Sequence, residues 1–143
     1  MIVENALGPT EDQVKQMQAP GPDQPICLVN MLKYREHAQY PDGRDTSLTG
    51  KQAYEIYAKS VEKMLPIYDG KLTFVGDVTY LRMGVVEELW DEIVIVMYPS
   101  RSHMRKMTMS EEWKEASVHR IAGLEGQLNI ETIQSANFSE AFS

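Results

Sequence analysis

Leu89-Trp90-Asp91-Glu92-Ile93-Val94-Ile95-Val96-Met97-Tyr98 is the stretch from which the fold is read. Ile93 to Val96 are β-branched without a break, and Pro99-Ser100 follows at once, so the segment is a strand that stops at the proline. Its apolar residues fall on both alternating faces, which implies that both faces are covered. Upstream, residues 71–83 read as a second strand, in which Gly76 marks a bulge or a close approach, and residues 84–88 as the hairpin connection. Downstream, Ser100 caps a helix that pauses near residues 108–110, resumes on Ser110-Glu111-Glu112 and stops at Gly123.

The same two-sided apolar character recurs at residues 26–33, where only Asn30 interrupts the run. Thr49-Gly50-Lys51-Gln52 has the form of a capping box. It opens a helix whose Ala53, Ile56, Tyr57, Ser60, Val61, Met64 and Leu65 share one face, before Pro66 and Asp69-Gly70 close the segment. A last strand covers residues 126–133, with Leu128, Ile130 and Thr132 alternating against Gln127, Asn129 and Glu131. Thr10-Glu11-Asp12-Gln13 repeats the capping-box form ahead of a short helix, ended by Pro20-Gly21-Pro22, that must dock on the body to persist.

The order is β-α-β-β-α-β, an α+β, ferredoxin-like arrangement: a four-stranded antiparallel sheet with its helices on one face. The other sheet face then needs cover, and a second copy of the sheet is its simplest source, giving a homodimer. One domain is expected over residues 1–143, made of a helical extension at 1–25, a core at 26–134 and a polar tail at 135–143. The chain's 143 residues bury roughly 68–70% of their unfolded surface, so neither a disulfide nor a metal is needed for folding.

Composition removes several function classes. A net charge of −7 disfavours nucleic acid and anionic membrane as partners, and no apolar run is long enough to cross a bilayer. Cys27 is the only cysteine and lies in an apolar run, so it reads as a buried, inert thiol. With no signal peptide visible, a cytoplasmic location is expected. Phosphate loops, nucleophile elbows and zinc or calcium spacings are missing from the sequence, so no cofactor and no metal are expected.

Several short pieces, in order, carry a family likeness: Pro9-Thr10 with Gln13, Leu28 to Lys33, and Gly50 with Ala53-Tyr54 and Tyr57. They continue with Trp90-Asp91, Tyr98-Pro99-Ser100-Arg101, Met107 and His119 to Glu125. On these the chain resembles the uncharacterised DUF1330 family of the dimeric α/β-barrel superfamily, from about Pro9 to Ile130. One departure is Asp69-Gly70, where the family typically has a Gly-Gly pair. The resemblance implies the fold and a homodimer whose two sheets face each other, but no reaction. Other branches of that superfamily include cofactor-free monooxygenases, isomerases and haem-handling enzymes, and none of their motifs maps onto this chain.

Candidate site residues follow from chemistry. Asn30 is an amide within an apolar strand; it either bonds a neighbouring strand or the N-terminal helix, or lines a polar pocket. His119 is the candidate catalytic residue, a general base or an anion contact. Its alternative role is to cap the end of its helix, with Arg120 paired to an acid such as Glu125. Tyr54 and Tyr57 are three apart on a helix and within reach of one another; Tyr57 belongs to the apolar face, while Tyr54 borders it and turns its hydroxyl into a cavity. Arg82, in the second strand, is a carboxylate contact or an interface ion pair. Trp90 and Asp91, opening a strand, point to opposite faces: Trp90 packs in the core or walls a pocket, and Asp91 forms a surface ion pair or charges the pocket rim. Met107 is one of several methionines that serve as core filler or as an adaptable ligand wall.

Together they predict a pocket between the sheet and the helix of residues 50–65, with Asn30, Tyr54, Trp90 and His119 around a small aromatic or polyketide-like molecule. Such a protein is either a cofactor-free enzyme of monooxygenase or isomerase type, or a ligand carrier or interaction module. A haem-handling role with His103 as ligand is a further alternative.

Overall fold

The computed structural model describes residues 4–19 and 24–134. Helix α1 is Glu11–Gln18, followed by strand β1, Ile26–Tyr34, and helix α2, Gly50–Met64, which runs into a 3₁₀ turn at Leu65–Tyr68. Strands β2, Lys71–Asp77, and β3, Glu92–Tyr98, precede helices α3, Arg101–Thr108, and α4, Glu111–Gly123, and strand β4, Leu124–Thr132. The sheet order is β2-β3-β1-β4 with every pair antiparallel, the ferredoxin-like topology. Both capping boxes form: Thr10 with Gln13 and Thr49 with Gln52 exchange side-chain and backbone hydrogen bonds. No helix among the described residues is long and apolar enough to cross a membrane.

Register sorts the side chains. Ile26 and Leu28 pair with Tyr98 and Val96 and are buried under the helices, where they meet Met64, Leu65, Met107 and Ala116. Further along the same face, Leu32 joins Tyr54 and Leu124. The alternate residues Cys27, Val29, Met31, Ile93, Ile95 and Met97 lie on the opposite face and are only partly covered. Phe74, paired with Ile95, is 54% exposed, and Ile130, paired with Val29, is 45% exposed.

Three expectations change. The second strand ends at Asp77, because β3 begins only at Glu92 and the last rung beyond it is Val78 N–H to the Asp91 carbonyl. Residues 78–91 therefore form a long connection rather than a tight hairpin, and it exposes Tyr80, Leu81, Met83, Val85 and Val86. The fourth strand begins two residues earlier than its polar alternation suggested, at Leu124, with a register shift opposite Lys33 and Tyr34. In addition, α1 buries no residue of its own. The helix itself is held by Arg105, which donates to the Met17 carbonyl, and from beside it Ala6 pairs with Gln127 and Leu7 packs on the Leu32–Tyr54–Leu124 cluster. The Pro20-Gly21-Pro22 stop and the tail at 135–143 lie outside the described residues.

Asp69, the departure from the Gly-Gly pair, has φ 58°. Left-handed backbone of this kind costs nothing for glycine and is tolerated by aspartate through its short polar side chain.

Candidate functional site

The expected site residues fall into separate groups. Asn30, Tyr54 and Tyr57 come together between the sheet and the helices. Tyr54 and Tyr57 lie one helical turn apart on α2, with ring centroids 5.4 Å apart. Tyr34, at the end of β1, meets Tyr54 with the rings tilted and their centroids 5.5 Å apart, and Trp113 of α4 meets Tyr57 edge-on at 6.5 Å, its indole N–H donating to the Tyr57 hydroxyl. Burial drives the pKa of all three tyrosines upward, so their hydroxyls stay protonated at neutral pH; for Tyr57, Arg120 opposes the shift.

Asn30 is the hub of a polar chain beneath this row of rings. Its amide donates to the Val94 carbonyl of β3, and its Oδ1 accepts from Gln127 at 2.7 Å and Asn129 at 2.6 Å. This is the bond to a neighbouring strand that one reading of its sequence context predicts, extended to β4 as well. Gln127 in turn accepts from Arg120 Nη1 at 2.9 Å, while Arg120 Nη2 donates to the Leu7 carbonyl at 3.0 Å. Arg120 Nε is buried without a hydrogen-bond partner. The pairing of Arg120 with Glu125 does not form, because Arg120 lies two turns beyond Trp113 on the inward stripe of α4 whereas Glu125 is exposed on β4.

His119 lies elsewhere. Its Nδ1 is 2.7 Å from the Tyr40 hydroxyl and the rings meet edge-on. It thus caps no terminal carbonyl; Leu124 N–H bonds the Arg120 carbonyl there instead. Arg44, held by Asp42, stacks on the Tyr40 ring with its guanidinium 4.6 Å from the centroid. Burial, aided by the Arg44 charge, holds the His119 pKa below its ordinary value of 6.5. The unfolded chain then takes up this proton more readily. The stability His119 contributes is complete above pH about 6.5 and is lost as the pH falls through the lower folded value. Melting curves from pH 7.5 to 5 are expected to show a smaller loss of Tm for His119→Gln than for the wild type.

Trp90 and Asp91 precede β3 rather than open it, so strand alternation does not direct them. Asp91 accepts from the Tyr34 N–H at 2.8 Å and pairs with Lys33 at 3.4 Å, which fixes the end of the loop. Trp90 lines a cavity of about 60 Å³ with Asn5, Lys33, Glu87 and Glu88, far smaller than the few hundred Å³ of a drug-sized site. Arg82 lies in the exposed connection, not in a strand. Met107 is buried in the main core, its sulfur 4.0 Å from the Tyr98 hydroxyl. His103 bonds Ser100 through Nδ1 and faces Asp69 through Nε2 at 3.7 Å. Trp90 and His119 therefore lie apart from Asn30 and Tyr54: Trp90 sits in the connection ahead of β3, and His119 turns to Tyr40 on the other side of α4 from Arg120. No group of three or more His, Cys, Asp or Glu that would hold a metal occurs among the described residues.

Tyr34, Trp113 and Gln127 escape sequence reading as site residues, and Arg120 is legible there only as the partner of an acid. The seven-residue spacing of Trp113 and Arg120 is a usable signal for a shared helix face. For Gln127 the signal misleads, since the polar residues of β4 face the helices and its apolar Leu128 and Ile130 face away.

RPA0582, a protein of unknown function from Rhodopseudomonas palustris, is similar over 92% of this chain and 98% of its own, with 27% identity and a TM-score of 0.83. Its methylated form gives 30% identity, coverage of 92% and 96%, and a TM-score of 0.84. A dimeric protein of unknown function and ferredoxin-like fold from Bacteroides fragilis is 12% identical, covering 77% of this chain and 96% of its own at a TM-score of 0.52. SnoaB, a cofactor-independent oxygenase from Streptomyces nogalater, is 8% identical, covering 78% and 94% at a TM-score of 0.51. No curated protein matches the chain. The family model described as "Domain of unknown function (DUF1330)" matches residues 44–132, well over half of the chain, and the chain belongs to that family.

Proposed function

We propose that the protein is a homodimer, packed sheet to sheet, in which each subunit binds a small apolar or aromatic molecule between its sheet and its helices. The observation that carries the binding site is the row Tyr34, Tyr54, Tyr57 and Trp113, laid over the polar chain of Asn30, Gln127 and Arg120. Aromatic faces with a few convergent polar groups are the usual lining of a small-molecule site. Trp113 is its own reporter: in a Trp90→Phe variant it is the sole tryptophan, since the chain has two. Titration with 1-naphthol is expected to quench its fluorescence saturably. A purely linear response up to millimolar naphthol would reject the site.

The dimer is supported by the open sheet face and by the exposed apolar residues of the 78–91 connection, with Val85 at 95% exposure. An apolar surface of this extent calls for a partner, and a self-complementary sheet supplies one by two-fold symmetry. The Bacteroides fragilis protein named as dimeric has the same fold. Ile95→Asp, at the centre of the open face between Val29 and Phe74, is expected to convert the dimer to a folded monomer in light-scattering chromatography. A wild type that elutes as a monomer at tens of micromolar contradicts the proposal.

A further inference from the structure

We propose that the molecule bound between sheet and helices carries a carboxylate, and that Arg120 receives it side-on through its Nε–Nη2 edge. The inference rests on the binding site proposed above and names the chemical class of its ligand. Three arginines of this chain allow a direct comparison. Arg44 gives its Nε and Nη2 to Asp42, and Arg101 gives the same two nitrogens to Glu131 at 2.7 and 2.6 Å. That fork matches the spacing of two carboxylate oxygens. Arg120 holds the same edge differently: Nη2 donates to a backbone carbonyl, that of Leu7, and Nε, like that of Arg35, is buried and donates to nothing.

Among the described residues no carboxylate pairs with Arg120; its acceptors, Gln127 and Leu7, are neutral oxygens. A partly buried cation without a counter-ion is costly, and burying its Nε–H unbonded adds to that cost. An incoming carboxylate removes both deficits. One oxygen takes Nε and the other replaces the Leu7 carbonyl at Nη2. For this the Leu7 carbonyl turns aside, while the two Ala6–Gln127 hydrogen bonds and the packing of Leu7 on the Leu32–Tyr54–Leu124 cluster hold its segment in place. The Gln127 bond at Nη1 stays in place and, through Asn30, fixes the plane of the guanidinium. The ligand body then lies against Tyr57 and Tyr54, the two rings whose hydroxyls feel the Arg120 charge. An aromatic carboxylate satisfies both halves of this surface.

The test uses the full-length protein with benzoate and its neutral counterpart benzamide. Addition of benzoate is expected to move the Arg120 Nε–H resonance of ¹⁵N-labelled protein saturably, whereas benzamide leaves it in place. Arg120→Gln is expected to weaken benzoate binding at least tenfold more than it weakens naphthol binding. Should that variant not fold, the wild-type resonance still decides. Equal binding of benzoate and benzamide, with an unmoved Nε–H signal, overturns the carboxylate assignment and leaves the pocket standing. Absence of saturable binding by benzoate, benzamide and naphthol alike overturns both.

Discussion

Gly123→Ala is expected to cost about 3 kcal/mol of folding stability, the upper end of what overpacking a tight contact costs. The reason lies in how α2 and α4 meet. A methyl on Gly123 would stand 2.8 Å from the Tyr54 amide nitrogen and would run into the Gly50 carbonyl oxygen. A methyl on Gly50 would stand 2.6 Å from the Gly123 carbonyl oxygen and 2.7 Å from the Arg35 nitrogen, and would collide with the Arg35 carbonyl. These obstacles are backbone atoms, so no rotamer change relieves them. The Gly123 carbonyl also accepts the Arg35 N–H at 2.9 Å, so a shift of α4 breaks a bond that ties it to the end of β1. Gly50→Ala is expected to be as damaging. Gly8→Ala, with nothing within 4 Å of the added methyl, is the control and is expected to be nearly neutral. Urea unfolding of the three variants measures the differences; a loss for Gly123→Ala no larger than for Gly8→Ala contradicts the close packing. This contact also sets the separation of α2 from α4, and hence the distance from the tyrosines on one to Arg120 on the other.

Asn30→Ala is expected to destabilise by a comparable amount, about 3 kcal/mol, from several polar groups losing a partner at once. The change takes the donor from the Val94 carbonyl and the acceptor from the amides of Gln127 and Asn129. Asn129 is exposed and regains water, so the loss falls on Val94 and Gln127, which lie inside the sheet–helix layer. Asn30→Leu restores the volume but not the bonds and is expected to recover little. Combining Asn30→Leu with Gln127→Leu removes both ends of one bond, and the double variant is expected to be more stable than the sum of the single losses predicts by about 1 kcal/mol. Strict additivity in a double-mutant cycle would show that the two amides do not act as a pair.

The reach of the sequence is uneven for identifiable reasons. Capping boxes at Thr10 and Thr49 are local hydrogen-bond patterns, complete within four residues, and both form as read. The apolar runs of β1 and β3 specified strands that the register then paired residue by residue. The strand expected over residues 71–83 broke off at Asp77 because a strand exists only while a neighbour pairs with it, and Asp91 ends that pairing through long-range bonds to Lys33 and Tyr34. Alternation in β4 was legible, but which half faces the helices was not, since a one-residue change of register reverses the assignment. His119 and Arg120, adjacent in sequence, point to Tyr40 and to Leu7 and Gln127, partners 79, 113 and 7 residues away.

What the sequence determined by itself is the order of elements, the caps that start the helices and the family to which the chain belongs. Each depends on neighbours within a helical turn or on a pattern along one strand. The tertiary structure alone decided that Tyr34, Tyr54, Tyr57, Trp113 and Arg120 share one layer, and that Trp90 and His119 do not join them. That grouping depends on the sheet register and on the Gly50–Gly123 contact, where backbone meets backbone between positions far apart in the chain. Periodicity along the chain carries no information about such a meeting.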